Sequence, residues 1–566
     1  MLVAVIGLVA AACTDDRQSG DPAPAPERTG GTGTTMVVSA VVHTVDPDQP
    51  SAEAFAYDDE GTIVAVGDEA EVRDAAGDEP TVIDAGGATV LPGFQDAHVH
   101  VPEAGINETT CVMEGSDLAD LEAQAEDCAA QQPDADWVRA AGASLFDLRG
   151  AAENPIDVLD RAVPDRPALI LDDLGHAVWT NSLGLAEAGI GADDPDPQGG
   201  VLYRDPETGR LTGLLLEDAQ QLVRNAAALD DEANYQGLLV ALDELAKNGV
   251  TSVSDAGGYW MQNHPAAWER AEAEGTLTVR GMNSLYVYPD LPMDEQLAEF
   301  KRRFSDDSDL LRFDTAKIYI DGILDLGTAS MLEPYDEPVD PNYPSGFNYF
   351  PPDELRTYVN ELYAMGYRTN FHVIGDRAVR DALDAVEAID DDPEAIAGRH
   401  HRTTHTYLVD PADLGRFAEL GMIADQQQSQ NAVETDYHDF LAGFIGDRAD
   451  DLIPTEQLLD AGATVTLSSD WDAGPLPPLG TIERSLTRDA NAVPDLETAI
   501  RMHTLDAAVA LGHDDTTGSI EVGKFADYVV LDADPFEVEP DDLDETEVLM
   551  TVVGGDAVYA APGFPS

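Results

Sequence analysis

Two histidines, His98 and His100, close the apolar run GFQDAHVH. Side chains two apart on a strand face the same way, so both imidazoles can reach one metal ion. A His-x-His pair alone is a weak signal, since two surface histidines in a loop are spelled the same way. Four further residues share its setting at the ends of apolar runs. They are Lys317 in TAKIYIDG, His372 in TNFHVIGD, His405 in HRTTHTYLV and Asp470 in TVTLSSD. Each has an ordinary alternative: a buried ion pair with Asp321 for Lys317, a satisfied structural histidine for His372 or His405, and a helix or turn cap for Asp470. His400 and His401 lie nearer a turn and are weaker candidates. Chance accounts for any one of these and poorly for the set in chain order. A ligand set of nitrogen and oxygen without sulfur suits one or two divalent ions. Zinc leads, with manganese, nickel and iron behind it.

Lys317 stands out by scarcity. The other lysines are Lys247, Lys301 and Lys524. A charged, unpaired lysine inside an apolar strand is costly. Its functional reading is a neutral amine that takes up carbon dioxide as a carbamate, a ligand able to bridge two metals.

These residues must be held by strands. Between them lie amphipathic helices such as NYQGLLVALDELAKNG and PDELRTYVNELYAMG, the latter with a Pro-Asp-Glu start and a stop at Gly366. That alternation predicts parallel βα units and an α/β fold, a (β/α)8 TIM barrel over residues 91–510. Nine strand candidates fit if one, RPALILDD, belongs to an insertion spanning about Glu103 to Gln220. Two β-rich segments flank the barrel, at 36–90 and 511–566. Each is short for a domain, so the two chain ends are expected to combine in one small β-sandwich. In the second segment GSIEVGKFADYVVLDADP and EVLMTVVGGDAVYA read as strands.

Thirty Lys and Arg face 110 Asp and Glu, a net charge of −80. Such a surface repels nucleic acid and anionic lipid. The excess runs along the whole chain, which reads as adaptation to high salt, where screening weakens self-repulsion. Full activity and unchanged folding in salt-free buffer would count against this.

Residues 1–13 form an apolar run ending Ala-Ala-Cys13, resembling a lipoprotein-type signal lipidated at Cys13; the alternative is a plain secretory signal. No basic residue precedes the run, which leaves the start codon open. Residues 14–35 read as a flexible tether. The expectation is export to the cell surface or periplasm, with membrane contact only through the N-terminal lipid. In an oxidising compartment Cys111 and Cys128 are expected to form a disulfide, the alternative being two free thiols.

GFQDAHVH, AKIYIDG, FHVIGD, HRTTHTYLVDP and LSSDWDAGPLPP together resemble the amidohydrolase superfamily. GHAVWTNSLGLAEAGI, GLLLEDA and GSIEVGKFADYVVLDADPF point to its YtcJ-like, N-substituted formamide deformylase-like branch, amidohydrolase family 3. The resemblance runs from about Met36 to Tyr559. It implies that His98 and His100 bind a first metal, that carboxylated Lys317 bridges, and that His372 and His405 bind a second. Asp470 would touch the first metal and act as general base. His176, from the insertion, is a candidate substrate-binding residue or a structural loop histidine. The chain departs from the family's pattern at Thr404, at WDAGPLPP and at QQQSQ, around the substrate pocket. The implied activity is hydrolysis of a non-peptide carbon–nitrogen bond in a small amide or formamide. Cyclic amide hydrolysis or heterocycle deamination is the runner-up. The only protein partner expected is a second copy, in a homodimer. Outside enzymes, the alternatives are an exported solute-binding lipoprotein and a structural surface protein; the latter lacks the internal repeats that would support it.

Overall fold

The computed structural model describes residues 33–428 and 435–565. Cys13, the signal, nearly all of the tether and the last part of QQQSQ lie outside the described residues. Eight parallel strands in chain order make the central sheet. They are β1 (Phe94–Val99), β2 (Val250–Gly258), β3 (Arg280–Tyr286), β4 (Leu311–Tyr319), β5 (Arg368–Val373), β6 (Arg402–His405), β7 (Ile423–Gln427) and β8 (Thr464–Ser468). The last strand returns to the first. Asp470 N–H donates to His98 O at 2.9 Å, and His100 N–H donates to Trp471 O at 2.8 Å, which closes the barrel at its carboxyl end.

The helices lie outside the barrel, and one continuous apolar core joins them to its outer face. Helix Asp231–Lys247 shows why these segments are helical. Asp230 caps its start by accepting from Ala233 N–H, acidic residues fill the first turn, and Lys247 sits in the last. The barrel lumen is polar. Ser254 and Ser284 hydroxyls meet at 3.0 Å, and Asp425 accepts from Thr404, Thr466, Ser468 and Gln427.

The insertion between β1 and β2 has a sheet of its own, and its apolar core runs on into the barrel loops at Ile323, Leu324, Met331 and Ile374. Its mixed six-stranded sheet runs from Cys111–Val112 to Leu211–Glu217. It starts later than the sequence suggested. Helix Val101–Asn107 belongs to the barrel layer, because Gly105 packs directly on the backbone of Gly237; a Cβ there would come within 1.8 Å of Gly237 O. Cys111 and Cys128 are joined by a disulfide, which ties the first insertion strand to helix Leu118–Gln131.

Both chain ends meet in two further sheets. One holds Ile63–Gly67, Ala54–Asp58, Thr34–Val38 and Thr81–Asp84. The other holds Asp556–Ala560, Val548–Val553, Tyr528–Leu531, Thr89–Pro92, Val41–His43 and Ser51–Ala52. Phe55, Ile63 and Val37 from the first pack against Val90, Tyr528, Val530 and Met550 of the second. Among the described residues, no helix is long and apolar enough to cross a membrane.

Candidate metal centre

All six side chains singled out by type and spacing converge at the carboxyl end of the barrel. His98 and His100 come from the end of β1, Lys317 from β4, His372 from β5 and His405 from β6. Asp470 follows β8 by two residues. His98 Nε2 lies 3.1 Å from Asp470 Oδ1, and His100 Nε2 lies 3.5 Å from the same oxygen. His405 Nδ1 is 3.9 Å from Asp470 Oδ2. His98, His405 and Asp470 each offer a ligand atom within 4.8 Å of the others. The His372 and His405 ring centroids are 4.6 Å apart. His400 and His401 stay out of this cluster; His401 Nδ1 is bound to Thr369.

Two of these residues hold strained backbone. His405 has φ +68° and Asp470 φ +54°, in the left-handed region that non-glycine residues avoid. Each costs on the order of 1–3 kcal/mol. Such a cost at two converging side chains suits a site whose geometry matters more than its stability.

Four of these side chains, His98, His372, His405 and Asp470, are in the state a metal needs. Burial, then the Lys317 charge, holds His98 well below the usual imidazole range. Burial does the same for His372, and it pulls His405 to about 3. Burial opposes ionisation of Asp470, but the facing histidines override it and keep its carboxyl well below the usual range. His100 is pushed up, because Asp470 outweighs its burial. Both ring nitrogens of His372 are buried without a hydrogen-bond partner among the described residues, as is His100 Nδ1. Orphaned imidazole nitrogens in a dry site are costly, and a divalent metal satisfies them. The residues present therefore fit such an ion.

Lys317 is fully buried. Its Nζ lies 3.2 Å from His98 Nε2 and 4.9 Å from the Tyr319 ring centroid. Burial lowers it to about 7, so a neutral amine is accessible near neutral pH. The alternative ion pair with Asp321 is not formed. That carboxylate instead accepts N–H groups from Ser330, Ile374 and Gly375.

A cavity of about 340 Å³ opens over the cluster. His176, from the insertion, lines it, with Nδ1 2.6 Å from the buried carboxylate of Glu217 and its ring 5.0 Å from that of His372. Tyr349 and Thr328 hydroxyls also donate to Glu217. Other wall residues escaped sequence reasoning. Tyr319 stacks on His372 at 4.4 Å between centroids, and it lies two residues beyond Lys317 on the same strand face. That spacing is a signal that could have found it. Glu103 pairs with Arg224, which lies 4.7 Å over the Tyr259 ring. No spacing rule links those three. Thr404, one of the departures from the family's pattern, donates to Asp425 on the next strand.

Comparison with known proteins agrees with this geometry. The amidohydrolase family model matches residues 81–559. The N-substituted formamide deformylase of Arthrobacter pascens is 29% identical over 93% of this chain and 98% of its own length. The putative amidohydrolase YtcJ of Bacillus subtilis (strain 168) is 28% identical over 89% of this chain and 95% of its own. Among solved structures, an uncharacterized metal-dependent hydrolase from Pyrococcus horikoshii OT3 superposes with a TM-score of 0.71 at 21% identity. It covers 90% of this chain and 99% of that one. A single barrel with six converging candidate ligands also differs from a two-lobed solute receptor. The chain belongs to the amidohydrolase family and is a hydrolase acting on carbon–nitrogen bonds.

Proposed function

We propose that this protein hydrolyses a small, linear amide or formamide. The convergence of His98, His100, Lys317, His372, His405 and Asp470 beneath one cavity, whose wall takes in His100, His405 and Asp470, carries the reading. The full-length similarity to a protein named for formamide deformylation supports the substrate class. His98, His100 and Asp470 would hold one ion, His372 and His405 another. Lys317 would bridge them after its amine adds carbon dioxide and loses a proton. Zinc is the ion that best suits this donor set. When bound, such ions acidify water to a pKa of roughly 7 and polarise a carbonyl. Asp470 then has the decisive task. Its side chain is 19% exposed, whereas His98 is fully buried, so it faces the cavity. It takes the proton of the attacking water and passes it to the leaving nitrogen. His176, fixed by Glu217 on the opposite wall, orients the substrate.

The test is a panel of formamides, N-acyl amines, cyclic amides and amino-heterocycles, offered to metal-replete protein at high salt. Turnover of the linear amides, abolished by a chelator, is expected. Turnover confined to cyclic amides or amino-heterocycles would move the assignment to cyclic amidase or deaminase. We place the enzyme outside the cell, anchored through Cys13, on the strength of the leader's composition. Metabolic labelling with a radioactive fatty acid checks this, and an unlabelled chain would refute the anchor.

A further inference from the structure

Arginines in this chain are usually captured by carboxylates, as 110 of these compete for 30 cations. Arg161, Arg210, Arg270, Arg280 and Arg416 all sit in ion pairs. Arg139 does not. It lies on the insertion strand Val138–Ala143, half-buried, and its guanidinium makes no ion pair or hydrogen bond among the described residues. The charge it feels most is another cation. Burial and then Arg224 lower its pKa to about 10.

Arg139 lines a small cavity of about 40 Å³. This cavity shares Glu103, Asn107, Leu171 and Arg224 with the larger cavity over the metal cluster. The nearby carboxylate is already used, because Glu103 is paired with Arg224. His264, also in the wall, is held neutral: burial takes it to about 4, and its Nδ1 meets Gly257 O at 3.2 Å. Two guanidiniums against one carboxylate leave a local charge of +1 inside a protein of charge −80. Like charges in a desolvated space repel unless an anion bridges them. The space holds about three waters, the size of one carboxylate group. A planar guanidinium fork matches that group in two parallel hydrogen bonds.

We infer that Arg139, backed by Arg224, forms a carboxylate-binding subsite, and that the substrate is an amide bearing a carboxylate away from the scissile bond. The substrate part of this inference rests on the hydrolase reading above; the anion subsite does not. The insertion thereby sets specificity, since it supplies the arginine, whereas the barrel supplies the metal ligands.

Binding is measured first, with benzoate and benzamide, which differ in charge and little in size. Metal-replete wild type is expected to bind benzoate at least about tenfold more tightly than benzamide. Arg139→Gln should erase that preference, and Arg139→Lys should keep part of it, with unchanged thermal melting for both. Equal benzoate affinity in wild type and Arg139→Gln would overturn the subsite, placing the carboxylate on the metal. So would displacement by chloride at constant ionic strength together with no discrimination between benzoate and benzamide, which would mark a halide site. Turnover is measured second, on N-formylbutylamine and N-formyl-4-aminobutyrate. A preference of about tenfold in kcat/KM for the acid, lost in Arg139→Gln, supports the inference. If neither compound is hydrolysed while the benzoate result holds, the substrate reading fails and the anion subsite stands. If both are hydrolysed alike by both proteins, the subsite fails and the hydrolase reading stands.

Discussion

The two ends of the barrel treat their buried cations in opposite ways. At the foot, where the β-sandwich docks, arginines meet carboxylates. Arg280, the first residue of β3, meets Asp527 in a fork, Nε to Oδ2 at 2.6 Å and Nη2 to Oδ1 at 3.0 Å. Gly554 N–H donates to the same carboxylate, and Lys524 Nζ meets Ser519 Oγ at 2.7 Å. At the mouth, His372 has two unpartnered nitrogens, Lys317 has no carboxylate partner, and two ligand residues carry left-handed backbone. An unsatisfied buried polar group costs about 1–3 kcal/mol. The foot lowers that cost for its charges with partners of its own, although Arg368 Nε and Nη1, His401 Nε2 and His503 Nε2 have no hydrogen bond among the described residues. The mouth leaves it open, and metal and substrate are what can close it. A buried atom without a partner therefore does not mark function by itself; at the mouth it does so because it coincides with converging candidate ligands and left-handed backbone.

The contrast is broken most sharply at the foot. Asp527→Ala leaves the buried Arg280 guanidinium without its carboxylate, with only Asp309 O and the Phe525 ring beside it, and it should cost about 3–5 kcal/mol of stability, read by denaturant unfolding. Turnover per folded molecule should stay near normal. A large loss of turnover in fully folded variant would mean the foot is coupled to the chemistry. At the mouth the signature reverses. Asp470→Asn should lower kcat by at least about a hundredfold through loss of the general base, with the melting temperature nearly unchanged. Near-normal turnover there would remove Asp470 from its assigned role. Lys317→Ala should empty the second metal position, about half of the bound metal by elemental analysis, and short added carboxylates should restore part of the activity. Full metal content and activity in that variant would end the carbamate idea.

Much of this site was legible because strand geometry is local. The spacing of two put His98 and His100 on one face, and the scarcity of lysine drew attention to Lys317 inside an apolar strand. What stayed hidden depends on distant pairing. Glu103 and Arg224 are 121 residues apart, and His176 and Glu217 are 41 apart; both pairs form only when the insertion folds onto the barrel. The barrel and the joining of both chain ends followed from alternation and from segments too short to stand alone. The strand expected from GSIEVGKFADYVVLDADP shrinks to Tyr528–Leu531, because Gly518 and Gly523 take positive φ and turn the chain. The start of the insertion was misjudged for a similar reason. The contact of Gly105 with Gly237 that keeps helix Val101–Asn107 in the barrel joins residues far apart in sequence.

One ion pair at the foot is imperfect, and it gives the mildest test. Asp506, on helix Leu505–Leu511, is 13% exposed and faces a half-exposed Arg501 at 3.3 Å. Burial wins over that arginine and pushes the carboxyl up to about 6. In the unfolded chain it titrates near about 3.9. Between those values the folded protein keeps a proton that the unfolded chain has lost, so stability falls as pH rises through the window. Above pH ~6 the folded state carries a poorly solvated carboxylate, at a cost on the order of 1–3 kcal/mol. Asp506→Asn mimics the protonated form. Unfolding at high salt should show variant and wild type alike near pH ~4, with the variant gaining that difference above pH ~6. The lost Arg501 pair offsets little, since such surface pairs contribute about 0–1 kcal/mol. Parallel pH profiles for the two proteins would show that Arg501 satisfies Asp506 after all.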